Sequence, residues 1–240
     1  MSAFPSSRTE PESPVRIIPP GLLSGARRIS ARIAPAFART RVSPNLISVA
    51  ALAAGLTAGV LFALDHPLPA ALVIILCGTL DVLDGLVAVQ TGRQSLFGAM
   101  LDSSLDRYSE FFIYAGLAYH FRHGWGQWAA WAAFLGAVMV SYTRARAEGL
   151  GFSCRVGIMQ RAERLTLVCL AGLAGPALGL FDPFALVVLG LIALLSTFTA
   201  GQRVWRVRNA ERRRPDRVRA SSAREPGGLN PSPSEKNEEP

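Results

Sequence analysis

Six apolar runs, roughly 44–64, 70–89, 101–119, 128–142, 165–180 and 184–199, leave this chain few ways to fold. Each approaches the ~20 residues that carry a helix across a bilayer core. Where the fourth to sixth fall short, flanking polar residues extend them, because long arginines reach back to the interface. Turn chemistry separates the runs: Asp65-His66-Pro67, Thr91-Gly92-Arg93, His123-Gly124, the arginine-rich stretch after Tyr142, and Asp182-Pro183. Half of the residues are hydrophobic and the mean hydropathy is +0.29, yet the formal charge is +8. Soluble domains seldom combine these values. The expectation is an all-α integral membrane protein of six transmembrane helices.

The arginines orient it. Arg27, Arg28, Arg32, Arg39 and Arg41 precede the first run, Arg144, Arg146, Arg155, Arg161 and Arg164 lie between the fourth and fifth, and a dense cluster from Arg203 to Arg219 follows the sixth. An even number of spans puts all of them on one side, which the positive-inside rule makes cytoplasmic. Both termini are then expected to face the cytoplasm, in a multi-pass protein of the cell inner (cytoplasmic) membrane. The opposite loops hold only Arg122.

The ends are polar. Residues 1–20 lack a basic start followed by an apolar run, so they are no signal peptide, and they are expected to be disordered. A membrane domain spans 21–205, and the tail over 206–240 is basic, then disordered. Beside a last membrane helix such a tail faces lipid headgroups, and no nucleic-acid partner is expected. The stretch from Leu22 to Thr40 alternates apolar and basic residues at helical spacing. It reads either as an amphipathic interfacial helix on the anionic leaflet or as a solvated helix that only sets topology. Cys77, Cys154 and Cys169 are odd in number and lack metal-ligand spacing.

Against this background four aspartates stand out. Asp81 and Asp84 are three apart and Asp102 and Asp106 four apart, so each pair shares a helix face. The turn near Arg93 lies midway between Asp84 and Asp102, and an antiparallel hairpin would bring all four carboxylates to one level near the cytoplasmic boundary. An ionised Asp near a helix centre costs ~2.5–3.5 kcal/mol on the insertion scale, and converging acids also repel. Protonation along a proton pathway, or pairing with cations, would offset that. Arg93 and Arg107 alone leave oxygens unmatched, whereas divalent ions do not, and carboxylates without histidine favour Mg²⁺ or Mn²⁺. His66, His120 and His123 fall on the opposite side. Gly85, Gly98 and Ala88 keep the acidic stripe free of bulk, with room for a large anionic ligand or for close helix packing.

Asp81-x-x-Asp84-Gly85-x-x-Ala88, then nine residues, then Gly98-x-x-x-Asp102-x-x-x-Asp106 resembles the signature of the CDP-alcohol phosphatidyltransferases, D-x-x-D-G-x-x-A-R followed by G-x-x-x-D-x-x-x-D. The resemblance extends from about Arg41 to Trp205 and implies six membrane helices preceded by an interfacial one. It implies transfer of a phosphatidyl group from CDP-diacylglycerol to a hydroxyl acceptor with release of CMP, in a homodimer. Asp81, Asp84, Asp102 and Asp106 would hold two metal ions, with Asp106 also acting as general base. Gly85 and Ser95 match positions that contact the nucleotide, and Ser43-Pro44-Asn45-Leu46 matches a segment that meets the CDP-lipid. The chain departs at Val89, where the pattern has Arg; Arg93, one turn on, is the candidate substitute. Segments around Ser141–Gly151 and Gln160–Leu165 are similar to those of the phosphatidylinositol-phosphate synthase branch. There Arg144, Arg146 and Arg164, with Arg161 nearby, match residues that receive a phosphorylated polyol such as inositol phosphate; glycerol phosphate is a related acceptor. Two other readings stay open, a catalytically degenerate family member and an ion or proton transporter. Transport would distribute its acids across the bilayer depth, whereas these share one level.

Overall fold

The computed structural model describes residues 28, 30–37, 42–154 and 156–212, and among them all regular structure is helical. Residue 28 and residues 30–37 are helical and form α1. Six longer helices follow: α2 (Pro44–Ala63), α3 (Pro67–Gln90), α4 (Leu96–His120), α5 (Gly126–Gly149), α6 (Arg161–Ala177) and α7 (Phe181–Arg212). They coincide with the six apolar runs. By length and hydropathy α2, α3 and α7 are each long and apolar enough to cross a membrane. Helices α4, α5 and α6 are more polar because they carry the charged residues read above.

Local chemistry sets the boundaries. Ser43 caps α2, its Oγ accepting from Leu46 N at 3.3 Å, and Pro44 opens the first turn, where a missing N–H costs nothing. Ser95 caps α4 in the same way, accepting from Gly98 N at 2.9 Å. Asp182-Pro183 does not break the chain. The break lies at 178–180, where Gly179 adopts φ +66°, and Pro183 sits in the first turn of α7, which tolerates proline. Helix α7 also runs past residue 205 into the basic cluster as far as Arg212, so the expected domain edge falls inside a helix.

Neighbouring helices close a ring in the order α2, α4, α5, α7, α6, α3 and back to α2. Its core draws Phe62, Ile74, Ile113, Ala133, Val168 and Ile192, one from each of α2 to α7. The simple hairpin of α3 on α4 is not how the acidic helices pack: each lies along α2, with little close backbone contact between the two. Glycine permits the α2–α4 approach. A Cβ on Gly116 would run into the Gly59 carbonyl, and one on Gly59 into that of Phe112. Helix α1 rests on this assembly, with Ala34 buried beside Ile47, Leu83 and Val87 and Ser30 Oγ donating to Thr79 O at 3.3 Å. Arg28 and Arg32 are exposed, as an amphipathic helix requires. The rest of the expected 22–40 helix, and the two terminal segments apart from residues 206–212, lie outside the described residues.

Candidate active site

Asp81 on α3 and Asp102 and Asp106 on α4 each offer a carboxylate oxygen within 4.8 Å of the others. All three are partly exposed. Asp84 is more deeply placed: it is buried, its Oδ2 accepts from Ser48 Oγ of α2 at 2.5 Å, and its carboxyl meets that of Asp102. The two expected pairs therefore converge, with α2 supplying a hydroxyl to Asp84.

Arg161, the first residue of α6, meets this cluster. Its Nη1 lies 2.6 Å from Asp81 Oδ1 and its Nη2 2.8 Å from Asp106 Oδ1, so one guanidinium spans the two acidic helices. Arg164, one turn later, is almost fully buried and binds Glu110 of α4 through Nη2, at 2.7 and 3.0 Å from the two carboxylate oxygens. Cations in the first turn of a helix oppose its macrodipole, an unfavourable placement that needs carboxylates to offset it. Asp81, Asp106 and Glu110 do so.

The other expected arginines are placed differently. Arg144 is exposed and pairs with Glu148 on its own helix at 2.9 Å, and Arg146 is exposed. Two positions apart on a helix, they cannot share a face. Arg93 is exposed in the α3–α4 connection, and Val89 is 61% exposed at the end of α3. Around Gly85 there is open space: a Cβ there would meet nothing within 4 Å. A Cβ on Gly98 would lie 3.0 Å from Ser95 Oγ and 3.4 Å from Asn45 Oδ1, so the two capped helix starts, 43–46 and 95–98, stand side by side.

Two residues of this region escaped the sequence reading. Glu110 lies one turn past Asp106, and its spacing of four continues the acidic stripe, a signal that was available. Arg203 was counted with the basic cluster, yet it is buried; it donates from Nε to Val156 O at 2.9 Å and from Nη1 to Val140 O. With Met159 N donating to Thr199 Oγ1 at 3.2 Å, the Val156 bond holds residues 156–159 against α7, and the Val140 bond ties α7 to α5. Gly157, at φ +133° beside Thr199, allows that contact.

The family model for CDP-alcohol phosphatidyltransferase matches residues 41–199, most of the chain. The chain belongs to this family. It is thus a transferase of phospholipid synthesis. Archaetidylinositol phosphate synthase of Methanothermobacter thermautotrophicus is 41% identical over 53% of this chain, a match that spans 63% of that relative. The Mycobacterium tuberculosis phosphatidylinositol phosphate synthase crystallised with CDP-DAG superposes with a TM-score of 0.69 at 28% identity, covering 75% of this chain and 94% of that one. The same enzyme in complex with manganese and citrate gives 0.68 at 27%, covering 74% and 88%. Among family members, then, are a structure holding the CDP-lipid and one holding a divalent metal.

Proposed function

We propose that this protein is a six-span enzyme of the cytoplasmic membrane that transfers a phosphatidyl group from CDP-diacylglycerol to a phosphorylated polyol, inositol phosphate first among candidates, with release of CMP. The observation that carries the reading is the meeting of three carboxylates from α3 and α4 with an arginine of α6 at one end of the bundle. That end also carries the arginine-rich connections, which supports a cytoplasmic orientation for it. Named relatives act in inositol phospholipid synthesis, and the acceptor preference follows them.

The donor set fits a hard divalent cation: oxygens only, close together, and already accepting the positive charge of Arg161. Asp81, Asp102 and Asp106, with Asp84 from the Ser48 side, would hold Mg²⁺ or Mn²⁺, two ions in our reading. Such ions supply charge neutralisation on the donor pyrophosphate. The remaining work falls to side chains. The acceptor hydroxyl oxygen bonds to the phosphorus bearing diacylglycerol, the pyrophosphate P–O bond breaks, and CMP departs with that electron pair. Asp106 takes the hydroxyl proton. Ser43 to Leu46, Gly85 and Ser95 line the approach for the CDP-lipid, with Arg93 in place of the cation missing at Val89. Arg161 at the acid cluster, and whichever of Arg144 and Arg146 faces it, provide forked donors for the acceptor phosphate, while Arg164, buried one turn behind Arg161, supports that end of α6. A homodimer is part of the proposal, and membrane lipids surround it.

The test is CMP release by purified protein with CDP-diacylglycerol, Mn²⁺ or Mg²⁺, and a panel of inositol phosphate, glycerol phosphate and unphosphorylated inositol. Turnover with the phosphorylated acceptors is expected. CMP release with none of the panel would overturn the reading.

A further inference from the structure

Glu110 has no place in the family pattern read from the sequence, and no step proposed above uses it. It is nonetheless one of the most deeply buried charges in the described chain, 1% exposed, at the junction of α4 with the start of α6. Its two oxygens both accept from Arg164 Nη2, at 2.7 and 3.0 Å. Its Oε1 also lies 3.8 Å from Arg161 Nε, an atom that makes no hydrogen bond of its own. Arg161 is thus held on two edges: Nη1 and Nη2 on Asp81 and Asp106, Nε beside Glu110. A guanidinium divides its charge among the carboxylates around it. Whatever share Glu110 takes is withheld from the two aspartates.

We infer that Glu110 is a positioning residue that sets, through Arg161, how firmly Asp81 and Asp106 are held and therefore how strongly the acid cluster binds a divalent cation. The inference rests on the metal-binding part of the proposed function. Arg161 and a cation draw on the same two carboxylates. Weakening the Glu110 hold on Arg161 strengthens the competitor; removing Arg161 removes the competition. An ordinary structural pair between Glu110 and Arg164 would have no such effect on cation binding, although its loss would lower stability by leaving Arg164 buried without a counter-charge.

A double-mutant cycle read by Mn²⁺ binding separates these roles. Full-length protein in detergent is titrated with Mn²⁺ alone, following thermal stability and bound Mn²⁺, for wild type, Glu110→Gln, Arg161→Gln and the double variant. Arg161→Gln should tighten binding about tenfold, the scale of a charge-assisted bond lost by the competitor. Glu110→Gln should weaken binding several-fold in the wild-type background and have no effect in the Arg161→Gln background. Glu110→Asp keeps the counter-charge for Arg164 but withdraws it by one methylene; it should fold and weaken Mn²⁺ binding in the same direction, so the test survives if Glu110→Gln fails to fold. Unchanged Mn²⁺ affinity in folded Glu110 variants would overturn the inference, as would an equal loss in both backgrounds, which signals direct attraction between Glu110 and the cation. A wild-type protein that binds no Mn²⁺ would instead overturn the proposed metal chemistry, an outcome visible before any variant is made.

Discussion

A single methylene or charge decides much of the behaviour expected at this site. Asp102→Asn removes one of the three converging carboxylates, whose charge without a cation is unfavourable for the fold. It should abolish CMP release while detergent-extracted yield stays near normal, and normal turnover would remove Asp102 from the metal set. Val89, exposed at the end of α3, is the one departure from the family pattern. An arginine there lies one turn past Gly85 and its open space, close enough to add a charge-assisted bond to a phosphate worth ~1.5–3 kcal/mol. Val89→Arg should lower the KM for CDP-diacylglycerol; activity created from none would mark the native chain as a degenerate relative. Arg144→Ala and Arg146→Ala test the acceptor grip separately, because the two point to different faces of α5. The one that reaches the acceptor phosphate should raise the acceptor KM by roughly tenfold, with donor KM unchanged. The acids were legible in the sequence because carboxylates at helical spacing are costly in apolar surroundings. The link from Asp84 to Ser48 was not, since a serine near a helix start has an adequate local explanation as a backbone-bonding residue, and indeed its Oγ also lies 3.3 Å from Pro44 O.

At the scale of elements, helix existence followed from hydropathy, while helix ends and neighbours depended on contacts that hydropathy does not encode. The proline at 183 reads as a breaker and acts as a first-turn residue, because the position of a proline within a helix matters more than its presence. The close pairing of α2 with α4 was hidden for a related reason: it depends on Gly55, Gly59 and Gly116, which lie inside apolar runs with no motif to mark them and whose missing side chains let the two helices approach. At the end of the bundle away from the acids, His120 joins three connections. Its Nε2 lies 2.8 Å from Asp182 Oδ1 and its Nδ1 3.4 Å from Asp65 Oδ1, and its ring packs edge-on against Phe181 at 5.2 Å. The sequence placed His120 only on the side opposite the acids. His120→Ala should lower thermal stability by about 1–2 kcal/mol, since both partner carboxylates are largely exposed and the aromatic contact adds a comparable amount. Turnover per folded molecule should not change, and a loss of turnover at unchanged stability would contradict this division between a fastened end and a reactive one.

For the whole molecule, six helices form one ring with the reactive groups gathered at a single end, which is the feature that separates a transferase from a conduit. Conduction needs polar groups through the whole bilayer depth, and the described acids of α4 end at Glu110, near the middle of that helix. The ring order itself could not be read from the sequence, because apolar runs of similar length and composition carry no record of which neighbour each selects. Its arrangement bears on the substrate. Beside the acids, Gly85 of α3 and Leu96, Phe97 and Met100 at the start of α4 are all exposed on the surface of the ring. A donor with two long acyl tails can bring its headgroup to the acids along such a surface while the tails remain among neighbouring lipids. The oily part of the molecule never has to leave its own solvent, so the protein can work on a water-insoluble substrate without a cavity large enough to swallow it.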